Sequence, residues 1–277
     1  MAVSVKFFAR RRIANALLLL AAGIVCVVLW RALDAALRPH ALYSGIALLL
    51  LLLLLTAFNA RKKLPFLPLI RASHWLQFHI YAGFLSVLLF GLHTDFRLPA
   101  GTLEIVLSIL FGIVTLSGLI GLYLTRSLPP VMARSGEPLT YESIPKFEIR
   151  LRRKVEEIVE EAEKGSGASA VGDLYIQHLS AHFKPQSVWA SLLGKPKKML
   201  SRALENIDKV QRYTGEDEHE VLEKLRACVR QKHNLDIQKG SQFLLRGWLF
   251  VHIPFTYSLL ITSFAHAWIV LVYIPTR

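Results

Sequence analysis

Apolar residues gather in five long blocks, broken by short basic or turn-forming links and by one extended polar stretch. The blocks run from Ile13 to about Trp30, about 41–58, 74–96 and 103–124, and again over 244–277. Each lies near or above the about 20 residues that an α-helix needs to cross a hydrocarbon core of about 30 Å. The pattern predicts an all-α integral membrane protein with five transmembrane helices. The second block contains the leucine run Leu48 to Leu55, and such uniform apolarity reads as lipid contact without chemistry of its own. The leader MAVSVKFFARRR could open a signal peptide. The apolar run behind it is long and no small-x-small cleavage pattern follows closely, so it reads as a retained first span.

Between blocks four and five the pattern changes. Residues 127–243 open on a Pro129-Pro130 turn and then show helical periodicity. Phe147, Leu151, Val155, Ile158 and Ala162 form one stripe, which GSGAS at 165–169 ends. A second helix is expected over 171–183. Met199, Leu200, Ala203, Leu204, Ile207 and Val210 mark a third, and Val221, Leu222, Leu225, Cys228 and Val229 a fourth, behind the acidic turn TGEDE. No glycine-rich nucleotide fingerprint follows a strand pattern. The expected organisation is a membrane domain over 1–126, a helical cytoplasmic insert over 127–243 that docks a partner or shapes the inner face, and a fifth span over 244–277.

Composition agrees with the membrane reading: 53% of the 277 residues are hydrophobic, and the mean hydropathy is positive. The net charge of +13 would suit nucleic acid if it were concentrated on one surface. Residues 127–246 carry 20 Lys/Arg and 17 Asp/Glu, a net of +3, so +10 lies in the short flanks of the apolar blocks. There it reads as a topology signal, and nucleic-acid binding is excluded. The N-terminus and the link with Arg61, Lys62, Lys63 and Arg71 are basic and free of acids, whereas the third link sets Arg97 against Asp95 and Glu104. The positive-inside rule then puts the N-terminus and the insert in the cytoplasm and the C-terminus outside. Two cysteines, Cys26 and Cys228, offer neither a disulfide framework nor a thiolate metal cluster, and no CxxCH occurs for covalent haem.

The chemistry lies in four histidines. His79 and His93 are fourteen residues apart in the third block, and His252 and His266 are fourteen apart in the fifth. Fourteen steps of about 100° return to nearly the same helix face after a rise of about 21 Å. Each helix therefore presents two imidazoles on one face at two depths. Zinc would gather three or four ligands at one point; here they fall into two separated pairs, His79 with His252 and His93 with His266. That is the donor set of two stacked, non-covalent bis-histidine b-type haems. Ser86 lies midway between its two histidines, and Gly83, Thr256 and Ser263 near the same face keep it slim enough for a macrocycle. Gly112, Gly118 and Gly121 would let one approach the fourth span. The second ring nitrogen of each ligand needs a partner, either a backbone carbonyl or a hydroxyl such as Thr256, Ser263, Thr115 or Ser117. Arg71 and Arg246 toward the inner ends and Arg97 toward the outer end could meet propionates. His74 could take a proton from a quinol. His178 and His182 would share a helix face, but without a third ligand they read as a solvated pair.

With these four histidines on two parallel spans, the chain resembles the di-haem cytochrome b family of quinol-oxidising complexes, and ferric-reductase-type membrane domains use a similar pattern. The chain has no PEWY sequence, and over a hundred residues interrupt its helices. The resemblance implies a subunit of a membrane oxidoreductase complex, in a bacterial inner membrane, that carries electrons across the bilayer. The inner side would take them from or give them to a quinone pool or a cytoplasmic donor. The outer side would meet a c-type cytochrome or an iron–sulfur protein. Two other readings remain open: a transmembrane reductase subunit fed by a separate flavoprotein, and a non-haem membrane anchor for a partner complex.

Overall fold

The structure, a computed structural model, describes residues 2–61, 72–137, 139–166, 169–188 and 195–273. All regular elements among them are helical, and five helices are long and apolar enough to cross a membrane. The chain divides into two compact units, one formed by 1–122 with 249–277 and the other by 123–248.

The membrane unit is built from α1 (Ala2–Ala35), α2 (His40–Arg61), α3 (Ala72–His93), the first two-thirds of α4 (Thr102–Arg134) and the end of the last helix, α9 (Glu216–Tyr273). These helices form because a peptide group in hydrocarbon has no water to bond, so each segment must satisfy its own backbone. Their packed interior holds Leu48, Leu52, Leu89, Phe111 and Leu259, and Phe90 stacks on Phe111 with ring centres 4.2 Å apart. Most of the remaining apolar surface is exposed, as lipid contact requires. Helices α1 and α3 are also joined by a polar contact, Asn15 Nδ2 donating to Gln77 Oε1 at 3.1 Å.

Three boundaries differ from the sequence expectation. Helix α3 stops at His93 instead of continuing to Phe96, because Asp95 and Phe96 turn left-handed with φ of 51° and 56°. The Phe96 N–H closes on Gly91 O at 2.9 Å, and its ring covers the Gly91 backbone, where a Cβ would stand 2.5 Å from Phe96 Cε1. Helix α4 runs through Pro129 and Pro130 to Arg134, so the Pro-Pro pair forms no turn. Each proline removes one N–H donor near the helix end, and the helix closes with Ser135 Oγ donating to Val131 O at 2.9 Å. The fourth stripe of the insert and the fifth span belong to one unbroken helix, the 58-residue α9.

The second unit is a helical bundle of α5 (Ile144–Ser166), α6 (Ser169–Leu174), α7 (Ser180–Phe183), α8 (Lys195–Gln211) and the first part of α9. Its core takes Leu151, Val155 and Ala162 from α5, Ala203 and Ile207 from α8, and Leu222, Leu225, Cys228 and Val229 from α9. These are the stripes that the periodicity marks. A π-helical turn, Tyr175–Leu179, separates α6 from α7. Its extra residue per turn rotates the chain, so His178 is exposed while His182 is buried, and the two do not share a face. The link after α4 is tied to α9 by Gln238, whose Nε2 donates to Ser135 O and Glu137 O and whose Oε1 accepts from Leu139 N.

Candidate functional site

The outer histidines come from the last residue of α3 and from the late turns of α9. The His93 and His266 rings lie with centres 6.3 Å apart and planes at 79°. At that separation the two rings could hold one metal ion between them, since metal–nitrogen bonds are about 2 Å long. His93 Nδ1 donates to the Ala41 carbonyl at 2.9 Å. That bond keeps the proton on Nδ1 and leaves Nε2 as the lone-pair nitrogen. Glu104, near the start of α4, is close enough to His266 for their charges to interact.

The inner histidines, His79 and His252, lie close enough for their charges to interact. Ser117 Oγ, on α4, lies 2.8 Å from His252 Nδ1 and 2.9 Å from Val114 O. The consistent assignment is a relay in which the imidazole N–H donates to the hydroxyl and the hydroxyl donates to the carbonyl, again leaving Nε2 as the lone-pair nitrogen. Of the hydroxyls expected as partners, Thr256 instead donates to His252 O of its own helix at 2.7 Å. Gly118 lies beside the His252 ring, and a Cβ there would stay 3.8 Å from Cε1.

An apolar layer occupies the interval between the two pairs. Leu85, Leu89 and Phe90 lie between the α3 histidines, Leu259 and Leu260 between the α9 histidines, and Leu107 to Val114 between Glu104 and Ser117. Ser86 is buried in the same layer, its hydroxyl donating to Gly83 O at 2.8 Å. A Cβ on Gly83 or Gly112 would meet nothing within 4 Å, so the backbone there has open space beside it. The imidazole donors, the 6.3 Å spacing of the outer two and that space would fit a haem at the outer pair. Among the described residues no group of three or more His, Cys, Asp or Glu converges as a metal cage.

Of the expected cation partners, two lie among the described residues. Arg246 pairs with Glu142 at 2.7 Å and stacks on Tyr141 at 4.7 Å. Arg97 is exposed in the turn after α3, and Arg71 lies outside the described residues. His74 is exposed at the start of its helix. Two features escape a reading of the sequence. Helix α2, expected to serve lipid alone, buries Leu48 and Leu52 and supplies the Ala41 carbonyl; its single glycine, Gly45, was the available signal. His40 opens α2 between Asp34 and Asp95, with Nδ1 3.7 Å from Asp34 and Nε2 3.3 Å from Asp95, and Trp30 packs edge-on against it at 5.3 Å.

The fold and the site define a class: an all-helical membrane protein with paired histidines between its helices. No family model, curated protein or solved structure matches the chain.

Proposed function

We propose that the chain is the di-haem cytochrome b subunit of a membrane oxidoreductase complex. It would carry electrons between a quinone pool or an inner-side donor and an extracytoplasmic acceptor such as a c-type cytochrome or an iron–sulfur protein. The observation that carries this reading is the 6.3 Å separation of the His93 and His266 rings, on helices that each carry a second histidine fourteen residues away. A b-type haem held by two imidazoles has no open coordination position and supplies one-electron transfer with little ligand rearrangement.

His79 and His252 would hold the inner group, and His93 and His266 the outer. The Ala41 carbonyl and the Ser117 hydroxyl orient two of the four rings. Leu89, Phe111 and Leu259 keep water out of the interval between the pairs. The basic second link and N-terminus argue for a cytoplasmic N-terminus and insert, with the C-terminus outside, in a bacterial inner membrane.

The test is a reduced-minus-oxidised spectrum with a pyridine haemochrome assay on the detergent-purified chain. Two non-covalent b haems per chain are expected. A folded preparation, grown with ample haem supply and still free of haem, would overturn the proposal and favour a non-haem anchor.

A further inference from the structure

Helix α2 carries few polar side chains in its middle, yet it meets the third helix at the outer histidine. At the outer one the contact is made by backbone: the Ala41 carbonyl accepts from His93 Nδ1 at 2.9 Å. One turn further on, a Cβ added to Gly45 would stand 2.7 Å from His93 Cε1 and 3.0 Å from Nδ1. The first is shorter than real Cβ contacts and the second is at their tight limit, so the ring occupies space that glycine leaves. Ser44, between them, is buried, and its hydroxyl lies 2.9 Å from His40 O and 3.1 Å from Ala41 O. It thereby steadies the first turn that presents the carbonyl.

We propose that α2 is the positioning helix for the outer α3 histidine, and that Gly45 is the residue that sets the place of the His93 ring. The Ala41 carbonyl holds the proton on Nδ1 and leaves Nε2 as the lone-pair nitrogen. The missing side chain at Gly45 lets the ring edge lie against the α2 backbone while the ring centre stays 6.3 Å from that of His266. A methyl group at position 45 would push the ring away, which lengthens the Ala41 bond and alters the distance to His266 together. This inference rests on the di-haem reading and adds a residue to it.

Gly45→Ala in the full chain, purified in detergent, tests it by haem content, by redox titration of each haem and by low-temperature electron paramagnetic resonance. The outer haem should be retained about 10- to 100-fold less well, as is usual when a ligand's outer partner is lost, with an altered signal in the fraction that remains. The inner haem should keep its wild-type potential and signal, which also reports that the helices have assembled. Leu50→Ala, at an exposed position on the same helix, should leave both haems unchanged. Wild-type content, potential and signal for the outer haem in Gly45→Ala would overturn the assignment. So would equal loss of both haems, since Gly45 would then be a general packing residue. A wild-type chain without haem would remove the di-haem reading itself, a result distinct from either.

Discussion

Ser117 and His252 meet across two helices, the serine hydroxyl 2.8 Å from the imidazole Nδ1. Both residues lie in a part of the chain surrounded by apolar side chains, where an N–H that loses its acceptor costs about 1–3 kcal/mol. Ser117→Ala should therefore weaken retention of the inner haem about tenfold or more and shift its potential, while the outer haem stays as in the wild type. Ser117→Thr, which keeps the hydroxyl, should restore most of the loss. A redox titration that resolves the two haems makes the comparison, and equal behaviour of the alanine and threonine variants would remove the orienting role.

Removing ligands one at a time should sort the histidines into two pairs. His93→Ala and His266→Ala should each lose the same haem, and His79→Ala and His252→Ala the other. Difference spectra of the four variants make the assignment. If His79→Ala and His252→Ala removed spectroscopically different haems, the pairing by depth would be wrong.

In the helical insert, Lys232 is 1% exposed and lies between two carboxylates, Glu148 at 3.2 Å and Asp236 one turn away. Lys239 reaches the other oxygen of Glu148 at 3.3 Å. Burying charges is costly, but removing one member of an assembled group is costlier, because its partners stay behind without compensation. Lys232→Ala should destabilise the insert by about 3–5 kcal/mol. Lys209→Ala, which breaks only the exposed pair with Glu205, should cost less than about 1 kcal/mol. Thermal unfolding followed by circular dichroism compares them, and similar melting of the two variants would contradict the burial argument.

His182 gives the insert a pH dependence. Burial, with the Lys232 charge as a smaller contribution, holds its pKa down to about 4 from an ordinary 6.5. The unfolded chain then binds more protons than the folded one between those values. The stabilisation is complete above about pH 6.5 and is lost as the pH falls toward 4, by roughly 3 kcal/mol at most. Melting temperatures of the insert should fall over that window, and His182→Phe should flatten the profile. An unchanged slope in the variant would assign the acid sensitivity to other groups.

Much of this was legible in the primary structure, for a physical reason. A bilayer core of fixed thickness converts apolar length directly into spans, and helical geometry converts a separation of fourteen residues into two positions on one face. The five long helices, the stripes Leu151–Val155 and Ala203–Ile207, and the candidate histidines all follow from such local rules. Local rules do not say which helix stands next to which. Helix α2 looked inert because its work is done by the Ala41 carbonyl and by the absence of a side chain at Gly45, and a backbone group leaves no mark in residue identity. The choice of Ser117 over Thr256, the diversion of Arg246 to Glu142 and the burial of His182 behind a π-helical turn depend likewise on neighbours distant in sequence. The sequence alone determined the spans and the spacing of the histidines, because both depend on one helix at a time. Tertiary structure alone decided what orients each ring, because that depends on the polar groups which packed helices place within hydrogen-bonding reach of one another.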